Sequence, residues 1–159
     1  MSRSAFVVVA CLAGSLAIFA VATVKGAALK EVSDEKYKPG QVWSYKTRAG
    51  EEASTLTILL VEQASKGQRL VHIHVDGIQL KNCKGGDAPR IVDHMPFAKE
   101  SMDASVVALV GNAAIPAYKE GYSEWRQGWD EGRAGFYTIT VSAAIDRMQQ
   151  TFSQGIGCS

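Results

Sequence analysis

The chain has 159 residues, 47% of them hydrophobic and 21% charged, with a formal net charge of +1. That length and balance allow one folded domain with a real core and exclude a disordered chain. Without Arg3 and Lys25, 15 basic side chains face 16 acidic ones, and no basic stripe or acidic tail remains, which argues against nucleic acid as a partner.

The amino terminus opens with Met1-Ser2-Arg3 and runs uncharged from Ser4 to Val24. A basic start followed by an apolar run is the plan of a secretory signal peptide, and Ala20 and Ala22 supply small residues for cleavage after Ala22. The run also approaches the roughly 20 residues that span a bilayer. Residues 1–24 are therefore expected to be a signal peptide or a membrane anchor. Lipidation at Cys11 is disfavoured by the short apolar stretch before it. In either main case the remainder faces outside the cytoplasm, with Arg3 inside. The expected location is the periplasm, or the inner membrane facing it, with membrane contact through residues 4–24 if they are retained. Two cysteines then lie in the exported part, Cys83 and Cys158, and an oxidising compartment favours a disulfide between them.

Residues 25–40 are polar, end in Pro39-Gly40, and read as a linker to a single α+β domain over 41–159. Residues 41–48 and 55–63 read as strands, the second apolar enough to be central. Asp76-Gly77 between two alternating runs signals a two-residue hairpin. Pairing Val75 with Ile78 sets Ile73 opposite Leu80 on an apolar face. It puts His72, His74, Gln79 and Lys81 on the other, with Lys81 across from His72. That arrangement makes the two histidines part of a solvated face.

Residues 84–97 form a long connection containing Asp93-His94. Residues 98–112 read as a helix with Met102, Val106, Leu109 and Val110 on one stripe and Gly111 at its end. Residues 116–135 read as a second helix, 136–141 as a strand, and Ser142 as the cap of a last helix with Ile145, Met148 and Phe152 turned inward. The order implies an α+β fold. Its mainly antiparallel sheet is a β-meander with an Asp-Gly hairpin, and about three helices cover one face.

Chemistry-bearing motifs are sparse. The chain has no G-x-S-x-G elbow, P-loop, G-x-G-x-x-G before a helix, HExxH or Cys-x-x-Cys, so no cofactor is implied. His72-x-His74, with His94 and the nearby Asp76 and Asp93, supplies donor types for a metal site. A metal-binding protein or hydrolase built on His72, His74 and His94 is the alternative reading, which the expected neighbour Lys81 opposes. Glu51-Glu52 and Asp130-Glu131 read as solvated charge. Tyr118, Tyr122, Trp125 and Trp129 fall at i, i+4, i+7 and i+11 on one helical face. They either pack on the sheet or line a binding groove. Gly121 and Gly128 in the same helix suggest close packing.

The run KPGQVWSYKTRAGEEASTLTILLVE, followed by VHIHVDGIQLKN and DHMPF, resembles a block in small bacterial envelope proteins with no known activity. The resemblance spans roughly residues 37–153. It implies a bacterial envelope location and carries over no site residue. The leading expectation is a non-enzymatic, exported or membrane-tethered domain that binds a protein partner in the cell envelope.

Overall fold

The computed structural model describes residues 26–157. The expected signal or anchor segment and Cys158 lie outside these residues. Among them, six strands form one antiparallel sheet: β1 (Leu29–Glu31), β2 (Gln41–Tyr45), β3 (Thr55–Ala64), β4 (Arg69–Asp76), β5 (Ile91–Ala98) and β6 (Val106–Asn112). The spatial order is β5-β4-β3-β2-β6, with β1 paired to β3. β2 and β1 share one side of the long β3, pairing with Thr55–Thr57 and Glu62–Ala64 respectively. Three helices accompany the sheet: α1 (Lys99–Ser105), α2 (Lys119–Asp130) and α3 (Val141–Gly155). The α+β class with a β2-β3-β4-β5 meander is thus observed.

The helices cover both faces of the sheet, not one. α1 and α3 deliver Met102, Val141, Ala144 and Ile145 to the main core with Leu56, Ile58, Val61, Val71, Ile73, Val75 and Phe97. α2 lies on the opposite face, where a smaller cluster joins Trp129 to Ala64 and Leu70. Burial on both sides explains the nearly unbroken apolar run of β3. The expected linker is part of the domain: β1 extends the sheet and Tyr37 is fully buried.

Four local expectations are corrected. First, residues 78–83 form no strand. Gly77 takes φ +78, but the chain then leaves the sheet and β4 pairs with β5, Asp76 with Ile91 and Val75 with Val92. Glu51 causes the detour. Its carboxylate is buried, paired with Arg48, and accepts the Gln79 N–H at 2.5 Å, so it is not solvated charge. Ile78 and Leu80 still reach the main core, but Lys81 is not across from His72; Pro96 is.

Second, the helix expected over 98–112 stops at Ser105, and Val106–Asn112 pairs with β2. The buried Ser105 hydroxyl donates to the Ser101 carbonyl at 2.6 Å and accepts the Val141 N–H at 3.0 Å. The β-branched run that follows then serves as an edge strand. Third, residues 136–140 make only one isolated bridge, Tyr137 to Phe97. Fourth, the cap of α3 is Thr140, whose side chain accepts from the Ala143 N–H, not Ser142.

α3 runs back along residues 81–84. The Gln149 side chain accepts the Lys81 N–H and donates to the Lys81 carbonyl, and a side chain placed at Gly157 would meet Lys84 Nζ at 3.2 Å. This course brings Gly157 beside Lys84, the residue after Cys83. Non-reducing peptide mapping of envelope material is expected to join Cys83 to Cys158, closing a long loop that stabilises by roughly 4–5 kcal/mol in the chain-entropy model. Recovery of both cysteines as alkylated free thiols would refute the pairing.

Candidate functional site

The strand register brings together residues far apart in sequence. On β4, Leu70, His72 and His74 point to the α2 side while Val71, Ile73 and Val75 point to the main core. Leu60 pairs with His72 and Glu62 with Leu70, which puts Glu62 diagonally beside His72 on the α2 side. His94 on β5 shares that face. α2 crosses above, and its Gly121 is where the backbone comes down: a side chain there would meet His94 Cβ at 3.3 Å.

The result is a polar chain buried under a helix. His72 is 0% exposed and Glu62 3%. His72 Nδ1 lies 2.8 Å from His94 Nε2, and His72 Nε2 lies 3.1 Å from Glu62 Oε2. The latter is a charge contact whose angle falls outside that of a hydrogen bond. Tyr122 OH donates to Glu62 Oε1 at 3.0 Å, and Arg126 Nη1 donates to the same atom at 3.3 Å. The carboxylate selects the His72 tautomer with its hydrogen on Nε2. Nδ1 then accepts the Nε2–H of a neutral His94. Glu62 Oε2 and His72 Nε2 are left facing each other without a hydrogen bond.

The shared burial and charge displace Glu62, His94 and Tyr122 from their ordinary values. Burial pushes the Glu62 carboxyl up, but His72, Tyr122 and Arg126 more than offset it and leave it below the usual range. Burial and the neighbouring His72 lower His94 to about 4, against a smaller opposing pull from Glu62. Burial and the Glu62 contact raise the Tyr122 hydroxyl. The aromatic face of α2 packs on this chain: Trp125 has its ring 4.9 Å from His72 and 5.6 Å from His94, and Tyr122 is 5.6 Å from both. Trp125 Nε1 donates to the Gly135 carbonyl and Trp129 Nε1 to the Ala27 carbonyl, each at 2.7 Å. Tyr118 lies beside Tyr122 at the start of the helix.

The expectation that His72 and His74 belong to a solvated face is therefore overturned: both are buried. The three histidines do not converge on one point. The two nitrogens of His72 face His94 and Glu62, while His74 Nδ1 turns to Asp93 Oδ1 at 3.7 Å. Among the described residues no group of three or more His, Cys, Asp or Glu is placed to hold a metal ion. Asp76 is engaged in its own turn, accepting the Gly77 N–H.

Glu62 and Arg126 were missed by the sequence reading. The signal for Glu62 was present: it is the lone charge in the ten-residue strand TLTILLVEQA. Arg126, one turn after Tyr122, carries no distinguishing mark.

Beside this chain, two cavities follow α2. One of about 890 Å³ is lined by Asp93, Ile115, Pro116, Tyr118, Gly121 and Glu124, among others. The second, about 640 Å³, includes His94, Glu124, Trp125, Phe136, Tyr137 and Arg147. Gly121 and Glu124 belong to both walls. Gly128, further along α2, sits against the chain returning from the helix: a side chain there would meet Ala134 Cβ at 2.9 Å. Overpacking of that size costs about 1–3 kcal/mol, while alanine in a helix recovers up to about 1 kcal/mol. Gly128→Ala is therefore expected to lose a net ~1 kcal/mol in urea unfolding; an unchanged or raised midpoint would show that the 130–135 turn yields freely.

The chain matches no protein-family model, no curated protein and no solved structure.

Proposed function

We propose that this is an exported binding domain that seats a segment of an envelope partner protein in the trough beside the N-terminal half of α2. The observation that carries the reading is the pair of cavities sharing Gly121 and Glu124. Together they form a concave surface in which aromatic and aliphatic walls alternate with the charged side chains of Asp93, Lys119, Glu120, Glu124 and Arg147, apolar area and orienting polar groups being what a recognition site combines. Trp125 fits either role set out for the aromatic stripe, because its ring packs on the histidines and also lines a wall. Export rests on the uncharged segment from Ser4 to Val24.

Catalysis has less support. His94 reaches the cavity at the end of a Glu–His–His chain, as a general base would. With its ring lowered to about 4, it is a weak base at neutral pH and serves better as a neutral hydrogen-bonding group. The residues lining that cavity include no serine, threonine or cysteine to act as a nucleophile.

A photo-crosslinking amino acid at Glu124 in the full chain tests the binding reading, with the same group at the exposed Glu52 as control. A discrete adduct from Glu124 alone supports it. No adduct, or the same adducts from both positions, rejects it. Export is tested separately by a reporter fused after Ser159 that is active only outside the cytoplasm; an active cytoplasmic reporter at that site overturns it.

A further inference from the structure

α1 and α3 dock chiefly through Met102, Val141, Ala144 and Ile145 in the main core, a cluster that contains no histidine among the described residues. α2 differs. Its N-terminal two turns rest on Glu62, His72 and His94, through Tyr122, Arg126 and the Trp125 ring. Its C-terminal end is held otherwise, by Trp129 against Ala64 and Leu70. We propose that α2 is an acid-released cover: it stays docked while His94 is neutral beneath Gly121, and its N-terminal end lifts from the sheet when a proton enters at His94. This goes beyond the binding reading and stands whether or not the trough is occupied.

The charges around the pair explain the release. Glu62 from β3 faces His72 and also Arg126 of α2, which Asp130 of the same helix shares. Tyr122 on the same helix is neutral. Asp93 on β5 is mostly exposed and turned to His74 of β4. Glu124 of α2 is exposed at the cavity wall, and Arg147 of α3, on the other wall, adds positive charge. Among the described residues His94 itself has no carboxylate at ion-pair distance, since Glu62 faces His72 and Asp93 faces His74, so a proton on that ring places an unpaired charge in a dehydrated space. A proton on each ring would set two N–H donors against one another across 2.8 Å. Hydrating His94 relieves both situations, and Gly121 lies directly over that residue.

The direction follows from linkage. The docked form holds His94 down to about 4, against 6.5 for a free ring. As pH falls from 6.5 toward 4, the lifted form takes up a proton that the docked form refuses, so docking is complete above 6.5 and is lost through that window. Two pH units below 6.5, the lifted population gains up to ~100-fold.

Hydrogen exchange of the detergent-solubilised full chain, at pH 7.5 and 4.5 and corrected for intrinsic rates, tests this. Peptides from 119–126 are expected to lose at least 10-fold in protection at pH 4.5, while β3 and β4 keep theirs. In His94→Gln the α2 loss should disappear. Equal protection of α2 at both pH values, or the same loss in His94→Gln, overturns the proposal. Should that variant fail to fold, ring carbon shifts of the wild-type histidines decide. Protonation of His94 together with α2 loss supports the proposal; protonation with α2 still protected ends it.

Discussion

His72→Ala is expected to cost about 2–4 kcal/mol, through the cavity it opens and the hydrogen bond it removes, a large part of the 5–15 kcal/mol that holds a typical domain folded. The ring is fully buried and sits between the Glu62 carboxylate and His94. Removing it leaves a buried carboxylate facing a void on one side, leaves the His94 Nε2–H without its acceptor, and takes away the surface on which Trp125 and Tyr122 rest. Glu62 keeps Tyr122 and Arg126, so the loss stops short of an isolated buried charge. Chemical denaturation with intrinsic fluorescence measures it. A change under 0.5 kcal/mol, the range of ordinary surface substitutions, would mean that the ring is not enclosed as described. A neutral outcome is what a solvated histidine face beside Lys81 would have given, so this substitution separates the two arrangements of residues 69–83.

Ile73→Ala is expected to cost about 2–5 kcal/mol. Ile73 is one residue away on β4, fully buried on the opposite face, and packs among Ile58, Met95 and the α1–α3 side of the sheet. β4 is flanked by β3 and β5, so the surroundings cannot collapse easily into the space of the missing methyl groups. The two substitutions also differ in kind. Ile73→Ala should lose stability evenly across pH 5–8, because the titratable groups of its core, Tyr37 and Tyr45, are pushed up by burial and stay neutral there. His72→Ala should change the slope of stability against pH between 4 and 6.5, where His94 contributes. Identical pH slopes for the two variants would contradict the role given to the bridge.

Much of the architecture was legible in the residues. Alternation in β2 and β4 and the apolar run of β3 announced antiparallel strands, and the spacing from Tyr118 to Trp129 identified the face of α2 that meets the sheet. Two features were not legible, for definite reasons. Residues 102–110 place apolar side chains at helical spacing, yet Val106, Val107 and Val110 are β-branched. The choice is made by Ser105, whose hydroxyl is tied to Ser101 and to Val141, a residue distant in sequence. The Asp-Gly signal was correct about the turn, since Gly77 has a positive φ, but not about the strand after it. Glu51 captures the Gln79 N–H and pulls the chain off the sheet. With residues 78–83 off the sheet, Lys81 is away from the histidines, and β5, carrying His94, pairs with β4 to complete the site.

The pairing of β6 with β2 bears on how the chain is made. Tyr45 waits for Val106, and Gln41 for Asn112. At about 5–20 residues per second, that wait lasts roughly 3–15 s during synthesis. Throughout it, β2 has an open edge and the meander cannot be closed on that side. Contacts this distant in sequence also slow folding, because the intervening loop must be ordered before the pairing rewards it. The vulnerable interval in the life of this domain is therefore its biogenesis, and a chaperone that shields residues 41–45 would act there.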